Sequence, residues 1–320
     1  MKQKKNPRFR FSGSIDMEII RRQVKRHRRS VLGQWTIRIV VAAMIVTGTY
    51  LVIENQTYTS VATADSHKKD TEDSNQYIAF SDGVIRYSRD GVVFLNKRNK
   101  EKWIQPCQIQ NPIVDVNEDV FAIADVGGNT IMIFQKSGLK GEIETTLPIE
   151  KISVSNQGIV SAILKNESTP QIISYDAVGN ILVEHQVNLN STGYPISLDM
   201  SADGENLMVS YLSTKNGTLK SKVAFYNFGK EGQEKTDNLI YTEDFEQTVV
   251  PDVFYMDAST SVAVGDKSFV IYEGTKSVKK KTEVKLNQEI RSEFHSDRYI
   301  GFILTNKDKC VKNRLFFQRT

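Results

Sequence analysis

The sequence predicts an all-β fold, a β-propeller of degenerate repeats with about six four-stranded blades and an incomplete last one, preceded by one transmembrane α-helix. Three observations carry that expectation. One apolar run near the N-terminus divides a strongly basic segment from everything after it. Beyond it come short runs of β-branched and aromatic residues, punctuated by Gly, Asn and Asp roughly every eight to twelve positions. Those runs align in groups of four at a repeat of roughly 35 to 55 residues, the arithmetic of propeller blades.

The basic segment, residues 1–30, holds eleven Lys and Arg against Asp16 and Glu18, a balance of +9, and Arg38 adds one more. Beyond position 38 the chain carries 30 basic and 36 acidic residues, so the overall +4 is the sum of two opposed parts. That split implies two environments rather than one nucleic-acid-binding surface, and no nucleic-acid partner is expected. Residues 1–30 read as a cytoplasmic tail. Its run Arg21–Arg29 (RRQVKRHRR) is explained by attraction to anionic lipid at about 1 kcal/mol per charge. Ser14 or Asp16 would cap a short helix running toward the bilayer.

Residues 31–53 (VLGQWTIRIVVAAMIVTGTYLVI) read as the transmembrane helix. At about 1.5 Å per residue the run covers roughly 34 Å, enough for a hydrocarbon layer of about 30 Å with some tilt. Arg38 must then sit near the inner boundary and extend its head toward the basic side, with Trp35 at one interface and Tyr50 at the other. The positive-inside rule places the N-terminus in the cytoplasm and the chain after about Glu54 outside, as a single-pass protein of the cell membrane. A cleaved signal peptide ending at Ala62-Thr63-Ala64 is the competing reading. It fits less well, because some thirty residues precede the apolar run and about ten follow it.

Residues 54–76 are rich in Thr, Ser, Asp and Lys and read as a polar stalk. Residues 77–320 form the expected extracytoplasmic propeller-like domain. First strands begin near Pro112 (PIVDV), Ile149 (IEKISV), Pro195 (PISLDM), Asp252 (DVFYM) and Ile290 (IRSEFH). Second strands follow as VFAIAD from Val120, GIVSAIL from Gly158, NLMVSYL from Asn206, SVAVG from Ser261 and YIGFIL from Tyr299. Third strands begin at Thr130, Gln171, Lys222 and Ser268, and more polar fourth strands near Gly141, Ile181, Asn238 and Val278. The turns agree: Ser201-Ala202-Asp203-Gly204 and Ser155-Asn156-Gln157-Gly158 fall between first and second strands, and Asp176–Asn180 between third and fourth. At about 43 residues per blade, residues 77–320 give between five and six blades. The missing edge strand comes either from Thr57–Thr63 or from chain beyond a truncated end, and an unclosed ring would leave a strand edge exposed.

Gly91-Val92-Val93-Phe94-Leu95-Asn96 followed by Lys102-Trp103 resembles the strand-turn-strand with closing Trp of quinoprotein-type propeller repeats. The Ser-x-Asp-Gly-x-x-Leu turn at Ser201 resembles repeats of WD40-like and translocation-protein propellers. The whole layout is similar to an uncharacterised bacterial family of single-pass membrane proteins with an extracytoplasmic β-propeller-like domain, a domain of unknown function. That resemblance covers nearly the entire chain and brings no catalytic residues with it.

Chemistry is sparse. Cys107 and Cys310 are the two cysteines. Two unpaired thiols are the default, and the alternative is a disulfide latching the first blade to the last. His67, His185 and His295 lie on different elements, so no histidine metal cluster or nucleophile dyad is indicated. Asp115-Val116-Asn117-Glu118-Asp119 alternates like a calcium loop but lacks its Gly and terminal Glu, and reads as a solvated hairpin turn. Ser137–Lys140 and Ser277–Lys280 match Ser-x-x-Lys without a helix start or companion motifs. Lys279–Lys281 reads as a charged outer edge strand. A quinone-cofactor dehydrogenase would need repeated closing Trp residues, and only Trp35 and Trp103 exist. The expectation is therefore a protein without enzymatic activity or cofactor, a surface module binding a protein, peptide or wall glycan beside the bilayer. A transmembrane sensor relaying through the basic tail is the alternative.

Overall fold

The computed structural model describes residues 17–54, 75–166, 169–215, 217–305 and 313–318, and the chain divides into two compact units, Met1–Asp70 and Thr71–Thr320. In the first unit, helix α1 (Met17–Glu54) is continuous through both the basic run and the apolar run. A short helix running toward the bilayer was expected ahead of the apolar run, and the described part of that segment, residues 17–30, continues into it without a break. The straight-chain Arg, Lys and Gln of residues 21–29 favour helix as well as the apolar residues do, and nothing breaks the i to i+4 ladder. The proposed caps Ser14 and Asp16 lie outside the described residues. Within α1 the stretch Lys25–Ile53, 29 residues, is long and apolar enough to cross a membrane by length and composition. The Thr36, Thr47 and Thr49 hydroxyls donate to the carbonyls of Gly33, Ala43 and Ile45, so these polar groups are satisfied within the helix itself.

The second unit is six antiparallel sheets, each a simple up-and-down meander in chain order. The first has β1 (Gln76–Phe80), β2 (Gly83–Tyr87), β3 (Gly91–Asn96) and β4 (Glu101–Pro106). The second has β5 (Pro112–Asn117), β6 (Val120–Asp125), β7 (Thr130–Gln135) and β8 (Gly138–Glu144), and the third β9 (Ile149–Val154), β10 (Val160–Leu164), β11 (Gln171–Tyr175) and β12 (Ile181–Gln186). The fourth has β13 (Tyr194–Met200), β14 (Asn206–Lys215), β15 (Thr218–Asn227) and, after a one-turn helix α2 (Lys230–Gln233), β16 (Leu239–Glu246). The fifth has β17 (Asp252–Asp257), β18 (Thr260–Val264), β19 (Ser268–Glu273) and β20 (Lys279–Lys285). The sixth has three described strands, β21 (Ile290–His295), β22 (Tyr299–Leu304) and β23 (Asn313–Gln318). This is the propeller architecture that the repeats predict, and the stalk stretch Thr57–Thr63 offered as a closing strand lies outside the described residues.

Burial explains the strand order. Second strands such as β10 (VSAIL) and β18 (TSVAV) are buried along their whole length, because a sheet on each side covers both faces. Fourth strands such as β4 and β20 are mostly exposed and polar. Five buried apolar clusters each join two consecutive sheets: Phe80 and Phe94 meet Phe121 and Phe134, Ile131 meets Ile152, Ile163 meets Leu207, Phe225 meets Tyr272, and Phe269 meets Phe302. At the first-to-second hairpins Gly158 and Gly204 adopt φ of 86° and 73°, the left-handed geometry those turns require.

Three boundaries differ from expectation by more than two residues or extend a blade. β14 and β15 run ten residues each, past the predicted Leu212 and before the predicted Lys222. The added Ser, Thr and Lys positions are held by the backbone ladder rather than by the core, so hydrophobic alternation gives no sign of them. β8 likewise starts at Gly138 rather than Gly141.

Candidate functional site

The inner, first strands of the second to sixth sheets surround a central cavity of about 930 Å³. Alternate side chains of a strand share one face, and from such positions Asp115, Lys151, Ser197, Asp199, Asp252 and His295 line the cavity. A tier of side chains can be followed from strand to strand through Asp115 on β5, Ser153 on β9, Asp199 on β13, Phe254 on β17 and His295 on β21. The Asp115 carboxylate accepts from the Val154 amide at 2.6 Å and from its neighbour Val116 at 2.9 Å. Ser153 Oγ donates to Asp199 Oδ1 at 2.7 Å and accepts the Met200 amide at 3.0 Å. Asp199 Oδ2 accepts the Tyr255 amide at 2.6 Å. The Phe254 and His295 rings then stack at 3.7 Å with planes 2° apart. His295 Nδ1 lies 3.2 Å from Glu293 Oε2.

Two residues earlier on the same strands lies a second tier, Lys151, Ser197, Asp252 and Glu293. Ser197 Oγ donates to Asp252 Oδ1 at 2.8 Å, and Asp252 also meets the Glu293 carboxyl. Around the mouth stand Glu118, Asp203 and Asp297, on the hairpins that follow the inner strands, and Asp257, the last residue of β17. The cavity wall is therefore acidic, with Lys151 and His295 as its basic groups.

Enclosure raises the proton affinity of its carboxyls. Burial, then the charge of Asp115, push Asp199 up to about 7, with the Tyr255 amide and the Ser153 hydroxyl opposing the shift. Burial likewise raises Asp115 against its bonds from the Val154 and Val116 amides. Burial raises Asp252 too; the Ser197 bond opposes it, while Glu293 adds to it. Burial, then Asp199 and Asp203, hold the Tyr255 hydroxyl neutral far above its ordinary range. The wall can thus bind cations and hydrogen-bond donors, and it can store protons near neutral pH. Among the described residues no group of three or more His, Cys, Asp or Glu is arranged to hold a metal ion.

Asp115 is a correction to the sequence reading. Its segment was expected to be a solvated turn, but only Glu118 and Asp119 turn, and Asp115 is an inner-strand residue tied across the gap to β9. Asp115, Ser153 and Asp199 of the first tier were legible only as a polar position at one offset in the runs PIVDV, EKISV and PISLDM, a signal that alignment by apolar residues passes over.

The anchoring residues fall as follows. Arg38 reaches back along α1 to within 5.7 Å of the Trp35 ring centre, while Tyr50 stands apart, nearer the helix C-terminus, and all three are exposed. Cys107 is half-buried beside the first sheet, and burial, then Asp90, raise its thiol. Its expected partner Cys310 lies outside the described residues, as does His67. His185 packs on β12 against Tyr226 and Phe228, in a different sheet from His295. Trp103 stacks on Phe134 at 5.2 Å and donates through Nε1 to the Lys136 carbonyl at 3.1 Å, closing the first sheet onto the second.

Several solved propellers are similar in fold. The Neurospora crassa Pan2 WD40 domain matches at 12% identity and TM-score 0.49, covering 71% of this chain and 70% of that one. Kluyveromyces lactis Hsv2 matches at 9% and 0.45, covering 67% and 74%. BamB from Moraxella catarrhalis matches at 11% and 0.41, covering 76% and 88%. At these values the likeness carries no argument about activity or ligand. No curated protein matches the chain. The profile of a family of unknown function, DUF5711, matches residues 54–317, and the chain belongs to that family.

Proposed function

We propose that this protein is a single-pass anchor of the cell envelope whose propeller stands outside the membrane as a non-enzymatic binding or scaffolding module. The observation that carries the proposal is the acidic cavity: a mouth of four carboxylates at or just beyond the ends of inner strands that are cross-tied by hydrogen bonds. Recognition residues on loops held by a rigid scaffold are the common arrangement for binding. The partner that suits such a mouth is a protein, peptide or amino-bearing wall glycan presenting positive charge. The basic residues 21–29 and the apolar stretch Lys25–Ile53 support anchoring, with anionic lipid on the cytoplasmic side and Trp35, Arg38 and Tyr50 near the interfaces.

Proximity labelling from the outer domain in intact cells, against a control carrying α1 alone, tests the binding role. Enrichment of a defined partner that drops when Glu118, Asp203 and Asp257 are neutralised supports it, and an unchanged profile counts against it. A reporter fused after Gln318 that is active only in the cytoplasm would overturn the orientation. The alternative, a transmembrane sensor, draws support from α1 running unbroken from basic run to apolar run. Deleting residues 1–30 separates the two: loss of a downstream response favours the sensor, and retained function favours a tether.

A further inference from the structure

We propose, resting on the binding role given above, that the ligand is a glycan chain and that a cleft between the third and fourth sheets is the subsite for one of its uncharged sugar units. The cleft holds about 550 Å³. Asp203 lines both this cleft and the central cavity, so a chain seated at the acidic mouth can run outward past that residue. The hairpins at this boundary are tied together, the Asn156 amide donating to the Ala202 carbonyl at 3.0 Å.

The outer wall of the cleft is a departure from the repeat. Between their third and fourth strands the first, second, third and fifth sheets turn through residues 97–100, 136–137, 176–180 and 274–278 without a helix. The fourth sheet instead inserts residues 228–238, which hold α2 and a 3-10 turn (Thr236–Asn238). Buried side chains fix the insertion: Asn227 Oδ1 accepts the Gly232 amide at 3.0 Å, and Asn227 Nδ2 donates to Asn206 Oδ1 at 2.8 Å. A side chain at Gly232 would begin 1.5 Å from the Asn227 carbonyl oxygen. Asp237 and Asn238 are, among the described residues, the one consecutive pair of non-glycine residues at left-handed φ, 56° and 58°. Such conformations persist only where the surrounding structure holds them, and they cluster at ligand clamps.

The lining decides the class of ligand. Gln157 from a hairpin of the third sheet, with Gln233 and Asn238 from the insertion, brings primary amides to the cleft beside Phe228 and Leu182. Among the described residues no lysine or arginine lines it, so a polyanion finds no counter-charge. No protein partner engages the Gln157 or Asn238 amide group among those residues. A primary amide offers donors and an acceptor side by side, and a sugar hydroxyl both gives and accepts a hydrogen, so the two match without charge on either. The C–H face of a sugar ring packs on Phe228 and Leu182 as other apolar surface does. Asp203 and Glu205 also line the cleft, and carboxylates accept from sugar hydroxyls as well. A basic peptide would answer those carboxylates and bring no hydroxyls to the amides.

Ligand-observed NMR titration of the full chain in detergent micelles tests this with a neutral tetramer of N-acetylglucosamine, its free-amine counterpart, and tetralysine. The neutral tetramer should bind wild type, and Gln157→Ala, Phe228→Ala and Asn238→Gly should each weaken it by about fivefold or more. Glycine at 238 keeps the left-handed backbone while removing the amide. Should Phe228→Ala fail to fold, Gln157→Ala on its exposed hairpin decides. If the neutral tetramer does not bind, or binds the cleft variants as tightly as wild type, the glycan subsite is overturned. Tetralysine binding that Glu118→Gln weakens would in that case leave the acidic mouth standing as a site for a basic peptide. Binding of the neutral tetramer that the cleft variants weaken, with neither amine probe bound, would uphold the glycan subsite and remove the acidic mouth as a recognition site.

Discussion

Asp252 and Trp103 show how single residues here draw their meaning from neighbours in another sheet. Asp252 sits against Ser197 of the fourth sheet and Glu293 of the sixth, and burial raises its proton affinity above that of the unfolded chain. The folded protein therefore binds more protons than the unfolded one between the two titrations, and stability falls as pH rises through that window. Asp252→Asn keeps an acceptor for Ser197 and removes the repulsion with Glu293. It should be more stable than wild type at pH 8 and lose that advantage in acid, below the ordinary carboxylate range, as followed by thermal unfolding across pH. Trp103 looked like the closing residue of a quinoprotein-type repeat, and in the fold it does close one sheet onto the next. Trp103→Ala should cost about 3 kcal/mol in denaturant unfolding, and Trp103→Phe markedly less, since the ring stack survives and the indole bond to Lys136 does not.

Among the elements, β14 and β15 extend beyond the blade that their apolar pattern outlines. Their outer ends pair with each other, and Lys220 also pairs with Glu246 across to β16 in an exposed ion pair. Replacing Ser213–Lys220 by a two-residue Asn-Gly turn should change unfolding free energy by less than about 1 kcal/mol, because exposed ion pairs contribute little and no core residue is removed. A larger loss would mean that the arm packs on something the isolated domain needs. For α1, apolar composition marks where the membrane run begins and not where the helix begins. The predicted boundary at Val31 follows the change in polarity, whereas the backbone follows helix propensity and continues through the arginines.

For the whole propeller domain, burial ranks the parts. β10 is buried at every position, whereas β21 is exposed or half-buried at every position. Amide hydrogen exchange should therefore leave β10 and β18 among the slowest segments and β21 among the fastest, reflecting local opening that begins where few apolar contacts must break. Equal protection across both would contradict a ring whose sheets are joined by the five buried clusters. By itself the sequence determined the apolar stretch, the four-stranded repeat and the turns, since polarity, alternation and left-handed turn residues act within a few positions of one another. The tertiary structure alone decided the cavity and its seam. Ser153 meets Asp199 across 46 residues, and Asp115 meets Val154 across 39. Those partners are set by how the sheets are arranged around a common axis, a constraint that no local pattern of residues encodes.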